Sequence, residues 1–465
     1  MDYHVIMKAK IDLSQAGLAD KPFRSSFSSG NFSENSADQA YIIGGNMSRG
    51  RALGGMERLF HQQNSVGSSN LTSILFFEGS LDESSIPEAL KRVQASFPLL
   101  TAQIVSDPKL RFEEAHGDIP FQILKRLDAE HWRLQVRQEV RRKWKNERMF
   151  VTFLIGEGRG EIILAADHTV ADAKSMYAVC QFLIRALNGQ VTPLVPALDA
   201  WEKRLPKPFR GIRGFFNMIR FVWNLFRHSP EKSLRFGKDS SNINTVSHGF
   251  QMDKLTLALL KRACDQNRSN LNSIFCAASV LAAFELYSEE KSGDVCLNVP
   301  VSVRDQIVPP ASAEELGMFI SAFLQWHKID ATTDIWELSR RILERTRSGV
   351  KAGESIRLGQ IAKGPEREEL PRPDKNRQRF EHSITVSNPG KLPSFEDLPN
   401  AKIVGYRNLG SLWTRESIVI VVLGYGDNLF VDAEISWERL GHVPDSAERL
   451  ANGIRHKVLS LLENT

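Results

Sequence analysis

Apolar and β-branched residues cluster at three places in the first half of the chain, and this pattern predicts strands. These strands cover residues 71–77, 150–155 and 161–166. After the first of them, Ile86, Leu90, Val93 and Phe97 recur at helical spacing, so a helix with one apolar face is predicted. The glycine-rich residues 156–160 predict a hairpin turn, because no helix begins after them as a phosphate-binding loop would require.

The second half of the chain alternates between helical periodicity and short apolar runs. The predicted helices cover residues 253–266, 270–287, 334–346 and 447–462. The predicted strands cover residues 295–301, 383–387, 418–423 and 429–435. Helices and strands are mixed in both halves without a regular strand–helix repeat, which predicts an α/β fold.

Local composition divides the chain into four segments. Residues 1–50 are rich in Ser, Gly and Asn and are expected to form a polar leader with weak local structure. Residues 192–247 are rich in Pro, Arg and aromatic side chains. They are predicted to connect an N-terminal half, 51–191, to a C-terminal half, 248–465. Within the latter, residues 364–379 combine charge with proline and predict a long loop.

Overall composition narrows the class of protein. Apolar residues make up 42% and charged residues 25% of the 465 residues, which excludes disordered and collagen-like chains. The 60 Lys and Arg against 55 Asp and Glu leave a net charge of +5, too small for a dedicated nucleic-acid binder. No apolar run reaches about 18 residues, and no signal-peptide pattern opens the sequence. Four cysteines without a Cys-x-x-Cys are expected to be buried thiols, so we expect a soluble cytoplasmic protein.

The stretch from Ile162 to Ser175 is the strongest candidate for a functional site. An apolar strand ends just before His168, and helical periodicity starts a few residues later. A side chain at the end of a strand can project into a cleft while its backbone stays rigid. Asp172 lies one helical turn further on, where it can orient the local structure or pair with a cation. This placement favours a functional role for His168 over a purely structural one.

These residues resemble the signature of a known superfamily, the acyltransferases built like chloramphenicol acetyltransferase. It includes nonribosomal-peptide condensation domains and the polyketide-associated and alcohol acyltransferases. The signature His-x-x-x-Asp-Gly, often followed by x-Ser, stands here as His168, Asp172, Ala173 and Ser175. Further matches occur in the order of the superfamily, at residues 53–58, 79–82, 97–100, 298–304, 316–321 and 387–390. The resemblance spans residues 51–460.

The signature departs from its usual form at two positions. Asp167 stands where the double-His form has its first His, although branches with one His exist. Ala173 replaces the usual Gly, which is expected to narrow the channel or alter the start of the helix.

The resemblance implies two chloramphenicol-acetyltransferase-like α/β subdomains with a tunnel at their interface and His168 near its centre. A thioester donor would enter from one face and a hydroxyl or amine acceptor from the other. His168 would take the acceptor's proton and then protonate the leaving thiolate, with no bound cofactor and no metal. Asp172 is expected to form a structural ion pair with Arg304. Ser387 and Asn388 are candidates for an oxyanion or tunnel contact.

The predicted function is therefore acyl-CoA-dependent O-acyl transfer in secondary metabolism by a cytoplasmic monomer, with N-acyl transfer also open. One alternative is an amide-forming condensation enzyme that uses carrier-protein thioesters. Another is an inactive binding protein of the same fold, in which His168 is structural. A metal enzyme and a serine hydrolase are disfavoured, because the sequence has no His-x-His, His-Glu-x-x-His or Gly-x-Ser-x-Gly.

A basic amphipathic segment covers residues 203–230, which contain no Asp or Glu after Lys203. Arg213, Arg220 and Arg227 recur every seven residues beside a row of apolar side chains. Such a helix can lie on an anionic membrane or guard a lipid-filled opening, or it can pack on its own protein as a connector. We predict contact with lipid or with the acceptor, which would make the protein peripheral to a membrane.

Overall fold

A computed structural model describes the protein from residue 50 to residue 463, with short gaps. The described residues are 50–66, 68–115, 117–195, 199–238, 244–364, 366, 381–412 and 417–463. The predicted leader, apart from residue 50, and most of the predicted loop 364–379 lie outside the described residues.

The described residues alternate between strands and helices along the chain. The strands are β1 (Arg51–Ala52), β2 (Asn70–Gly79), β3 (Gln103–Val105), β4 (Arg111–Glu113), β5 (Phe121–Lys125), β6 (Met149–Gly156), β7 (Arg159–Asp167), β8 (Thr245–Met252), β9 (Ser292–Asn298), β10 (Val301–Ser302), β11 (Ile320–Ser321), β12 (Leu324–Asp330), β13 (Ile384–Leu392), β14 (Ala401–Gly410), β15 (Ile418–Tyr425) and β16 (Asn428–Ser436). The α-helices are α1 (Gly55–Val66), α2 (Ile86–Ser96), α3 (His131–Glu139), α4 (Ala173–Leu187), α5 (Gly211–His228), α6 (Lys254–Gln266), α7 (Leu271–Tyr287), α8 (Ile335–Lys351), α9 (Glu354–Ile361) and α10 (Ser446–Leu459).

Several helices begin where a side chain caps them. Asp172, Asp253, Asn270 and Asp334 precede α4, α6, α7 and α8, and each side chain accepts a hydrogen bond from the backbone N–H three residues on. Capping satisfies a backbone donor that the helix itself cannot pair. The four helices predicted for the second half are present as α6, α7, α8 and α10.

The first large sheet has the strand order β14-β2-β7-β6-β5. Helices α2 and α4 cover one face, where Leu75, Phe77 and Phe182 are buried in a shared core. Helix α3 covers the other face, where Ile74 and Trp132 pack together. Successive residues of β2 thus serve opposite faces, as the pleat of a strand requires. The hairpin predicted at 156–160 joins β6 to β7, and Gly158 takes φ +68° in its turn.

The second large sheet has the strand order β12-β9-β13-β15-β16-β8. Its core contains Phe275 of α7, Ile342 of α8, Ile454 of α10 and Val431 of β16, all buried. The predicted α/β fold class is confirmed. The first strand of this sheet, β8, begins at Thr245, inside the segment predicted to be a connector.

One strand of the C-terminal half belongs to the other sheet. β14 follows β13 in the chain but leaves the second sheet and pairs antiparallel with β2, from Ala401 opposite Gly79 to Gly410 opposite Leu71. The predicted division into 51–191 and 248–465 therefore does not separate the two sheets. The return strand β15 lies parallel to β13, as this crossover requires.

None of the described helices is by itself long and apolar enough to cross a membrane, although α6 and α7, bent by 93°, satisfy that length and composition as a pair. The four cysteines are buried as free thiols.

Candidate active site

His168 is the first residue after β7. Because β7 lies between β2 and β6, its residues from Gly160 to Asp167 are all buried. The backbone N–H of His168 donates to the carbonyl oxygen of Ser69 at 2.9 Å. This bond continues the β2–β7 pairing by one residue, so the backbone that carries the imidazole is held against the start of β2.

A cavity of about 160 Å³ opens beside the imidazole, between the two halves of the chain. On the N-terminal side, Met56, Phe60 and Ala173 form an apolar wall. The C-terminal half supplies the polar wall, which comprises Asn298, Ser321, His382, Thr385, Ser387, Asn408, Ser411 and Glu434. The volume is below the roughly 300–1,000 Å³ of a complete small-molecule site.

The surroundings of His168 favour a neutral imidazole. Burial lowers the pKa of His168 below its usual value, and the nearby Asp172 carboxylate opposes this only in part. The ring lies 4.4 Å from the Phe60 ring, centroid to centroid. Its Nδ1 is buried. The imidazole is therefore in the proton-accepting form at neutral pH.

Asp172 and Arg304, which the resemblance pairs, are brought together across the two halves. Arg304 Nη2 donates to Asp172 Oδ1 at 3.1 Å, and both side chains are buried. Asp172 Oδ1 also caps α4 by accepting from the Ser175 N–H at 2.7 Å, and Oδ2 accepts from the Phe319 N–H at 3.0 Å. The carboxylate thus binds one helix of the N-terminal half to two segments of the C-terminal half.

The charged form of Asp172 is the stable one. Burial alone would raise the pKa of Asp172, but the Arg304 guanidinium and the hydrogen bonds from Ser175 outweigh it and lower the pKa. Arg304 Nη2 also donates to Ser175 Oγ at 2.7 Å, and Ser175 Oγ donates to the Gly317 carbonyl at 2.8 Å. Asp172 and Ser175 therefore position the loop of His168 and do not line the cavity.

Asp167, at the position of the missing first His, has a structural role. Arg148 Nη1 donates to its Oδ2 at 3.1 Å, and both side chains are buried. Its Oδ1 accepts from Asn64 Nδ2 at 2.6 Å and from the Thr169 N–H at 2.9 Å. Arg148 was not among the predicted site residues, because nothing local marks a partner that lies just before β6.

The remaining predicted site residues separate into two groups. Ala173 lines the cavity as the first residue of α4, so its methyl group occupies space that a glycine would leave open. Ser387 also lines the cavity and makes no hydrogen bond with the described residues. Asn388, its neighbour, instead donates from Nδ2 to Asn272 Oδ1 at 3.0 Å and is not a lining residue.

Sequence reasoning missed most of the polar wall of the cavity. Asn298 Nδ2 donates to Thr385 Oγ1 at 3.1 Å, which joins β9 to β13 at the cavity. Asn408 lies on β14, a strand the analysis did not predict. Asn298 could have been found, since it opens the 298–304 match. The described residues contain no group of three or more His, Cys, Asp or Glu side chains placed to hold a metal ion.

Comparison with solved structures shows which proteins share this fold. Polyketide synthase associated protein 5 from Mycobacterium tuberculosis superposes with a TM-score of 0.61 at 15% identity, over 90% of this chain and 99% of that one. The starter condensation domain of rhizomide synthetase, a mutant in complex with C8-CoA and Leu-SNAC, superposes with a TM-score of 0.64 at 15% identity, over 90% of this chain and 94% of that one. The epimerization domain from the third module of tyrocidine synthetase B superposes with a TM-score of 0.65 at 15% identity, over 89% of this chain and 96% of that one.

A family match gives the more particular assignment. Residues 247–412 match the family described as phthiocerol/phthiodiolone dimycocerosyl transferase C-terminus. No curated protein sequence matches the chain. The resemblance to condensation-domain-like and polyketide-associated acyltransferases is confirmed at the level of the two-subdomain fold and of this C-terminal match. Because the neighbours include an epimerization domain, the fold alone does not decide the reaction.

Proposed function

We propose that this protein is an acyltransferase that moves an acyl group from a thioester to a hydroxyl group, with His168 as general base. The observation that carries this function is the position of His168, whose neutral imidazole ends a rigid buried strand and faces a cavity shared by both halves. General acid–base catalysis needs this combination of fixed geometry and a basic form at working pH.

The residues present are sufficient for direct transfer. Nε2 of His168 accepts the proton of the acceptor hydroxyl as its oxygen attacks the thioester carbonyl. The tetrahedral intermediate then expels the thiolate, and the same nitrogen returns the proton to sulfur, so the imidazole ends neutral. The Ser387 hydroxyl, which has no protein partner among the described residues, is available to donate to the oxyanion. No covalent acyl-enzyme is needed.

Free acyl-CoA is the proposed donor, and the C8-CoA complex of the rhizomide starter domain supports this choice. An amide-forming reaction with carrier-protein thioesters is the second candidate, since the neighbours also include peptide-synthetase domains and His168 would serve an amine equally well. Release of free CoA thiol, followed for a panel of acyl-CoA donors with alcohol and amine acceptors, tests both. The function fails if no donor–acceptor pair accelerates thiol release above simple hydrolysis.

The pH dependence should follow the pKa of His168. Because that pKa lies below the usual value of about 6.5, the base is already neutral at pH 7, and kcat/KM is expected to be constant above it. Activity should fall only as the pH drops below about 6.5 and the imidazole gains a proton. The measurement is kcat/KM from pH 4.5 to 9. A rise in kcat/KM that continues above pH 7.5 would contradict the assignment.

We further propose that α5 places the protein on an anionic lipid surface that supplies or accepts a lipid substrate. Of its apolar residues, Ile212, Phe216 and Trp223 are 78%, 59% and 56% exposed, whereas Phe221 on the opposite face is buried. The row of arginines borders this exposed apolar face. This arrangement supports a helix that inserts aromatic side chains at a membrane surface while its arginines meet lipid phosphates. The helix packs on its own protein through the other face only.

Vesicle co-sedimentation tests the lipid contact. The double variant Phe216→Ser with Trp223→Ser should bind phosphatidylglycerol vesicles at least about tenfold more weakly, since each aromatic ring loses roughly 1.5–3 kcal/mol of apolar burial. The matched control is Leu255→Ser on α6, where the leucine is 71% exposed; it should bind like the wild type. If the wild type does not sediment with anionic vesicles, α5 does not bind an anionic membrane surface.

A further inference from the structure

A second cavity lies between α5 and the corner where α8 meets α9. Its volume is about 580 Å³, within the range of small-molecule sites, and it shares no lining residue with the cavity of His168. The residues of α5 that line it recur at helical spacing and include Arg220, Phe221 and His228. The facing wall includes Trp326, Arg345 and Arg357.

The charge of this cleft is strongly positive. Arg345 is matched by Glu354, with Nη1 to Oε1 at 3.1 Å and Nη2 to Oε2 at 2.6 Å. Arg220 forms no ion pair or hydrogen bond with the described residues. Arg357 donates to the Ala352 carbonyl and lies 4.9 Å from the Phe209 ring, without a carboxylate in salt-bridge contact. Two guanidinium groups on opposite walls are thus left without a carboxylate.

The inner part of the cleft is apolar. Phe221 is buried, and Leu225 and Trp326 line the cavity beside it. Trp326 Nε1 already donates to Ser233 Oγ at 3.2 Å, so its indole offers the cavity a mainly apolar surface. An inorganic ion would leave this surface unused, whereas an organic phosphate would cover it.

We propose that this cleft binds a phosphate ester that carries an organic group, with Arg220 and Arg357 on the phosphate. Planar guanidinium groups match phosphate oxygens in geometry and charge. Two sources have this chemistry: the nucleotide part of coenzyme A and the headgroup of a phospholipid. The cleft is separate from the cavity of His168, and a binding measurement tests it without turnover.

Isothermal titration of the full-length protein tests the cleft with two soluble probes, coenzyme A and dihexanoyl-phosphatidylglycerol below its micelle concentration. Each of the substitutions Arg220→Gln and Arg357→Gln should raise the Kd of the probe by about tenfold or more, as expected for loss of a charge-assisted contact. Arg262→Gln is the control, because Arg262 is an exposed arginine on α6 that does not line the cleft. It should stay within about twofold of the wild type.

The probe whose binding is weakened by Arg220→Gln identifies the source of the phosphate. Arg220→Gln keeps the test valid if Arg357→Gln fails to fold, because the exposed Arg220 side chain has no ion pair or hydrogen bond with the described residues to lose. Two results would overturn the site: neither probe binds the wild type, or both probes bind Arg220→Gln as tightly as the wild type. In the second case the probes are held elsewhere, and acyl transfer at His168 is unaffected.

Discussion

Replacing His168 with alanine is expected to lower kcat for acyl transfer by about 10²-fold or more while the protein stays folded. The imidazole lines the cavity and packs against the Phe60 ring, so its removal deletes the base at the cost of one ring contact. The measurement is thiol release under single-turnover conditions, with the donor and acceptor identified for the wild type.

The control variant is His456→Ala, which changes an exposed histidine on α10 and should leave both activity and unfolding temperature unchanged. Added imidazole should restore part of the activity of His168→Ala, because the removed ring leaves a space open to the cavity. Turnover near the wild-type value in His168→Ala would instead favour a binding protein in which His168 has no chemical role.

Breaking the Asp172–Arg304 pair is expected to cost about 3–5 kcal/mol of unfolding free energy, since either substitution leaves a buried charge without its partner. Urea denaturation of Asp172→Asn and Arg304→Gln measures this loss. The double variant should lose less than the sum of the two single losses, because the second substitution removes a charge that is already unpaired.

A surface pair provides the control for this experiment. Lys203 and Asp199 lie 2.8 Å apart with side chains 59% and 51% exposed, so Lys203→Gln should cost only about 0–1 kcal/mol. The pKa of Asp172 is lowered in the folded state, so its stabilisation is present above the unfolded pKa of about 3.9 and is lost as the pH falls through the lower folded value. Equal denaturation midpoints for Asp172→Asn and the wild type would contradict a stabilising pair.

The parts of the site that could be predicted are those with a local signal. β7 contains the continuous apolar run 162–166, Asp172 stands at a capping position before a periodic helix, and the matches around Arg304 occur in the expected order. The Arg148–Asp167 pair and most of the polar wall, apart from Asn298 and Ser387, could not be predicted in this way. Their partners meet only through the sheets, and no spacing along the chain encodes those contacts.

The strand β14 shows why sequence pattern failed elsewhere. Its pairing with β2 shifts register between Ile403 and Gly405, so the alternation of buried and exposed residues is interrupted in the middle of the strand. Two glycines and two cations further weaken the strand signal. The exposed apolar face of α5 was visible in the sequence, but whether that face was covered depended on tertiary packing.

The crossover of β14 also has a consequence for how the chain folds during synthesis. Thr72 Oγ1 of β2 donates to the Leu409 carbonyl of β14, a residue 337 positions later. At roughly 5–20 residues per second, the ribosome needs on the order of tens of seconds to reach it. Until then β2, which contains the largely apolar stretch Leu71–Phe77, is an unpaired edge strand. Such an edge can pair with strands of other chains. The nascent N-terminal half thus depends on protection from aggregation until its last strand emerges.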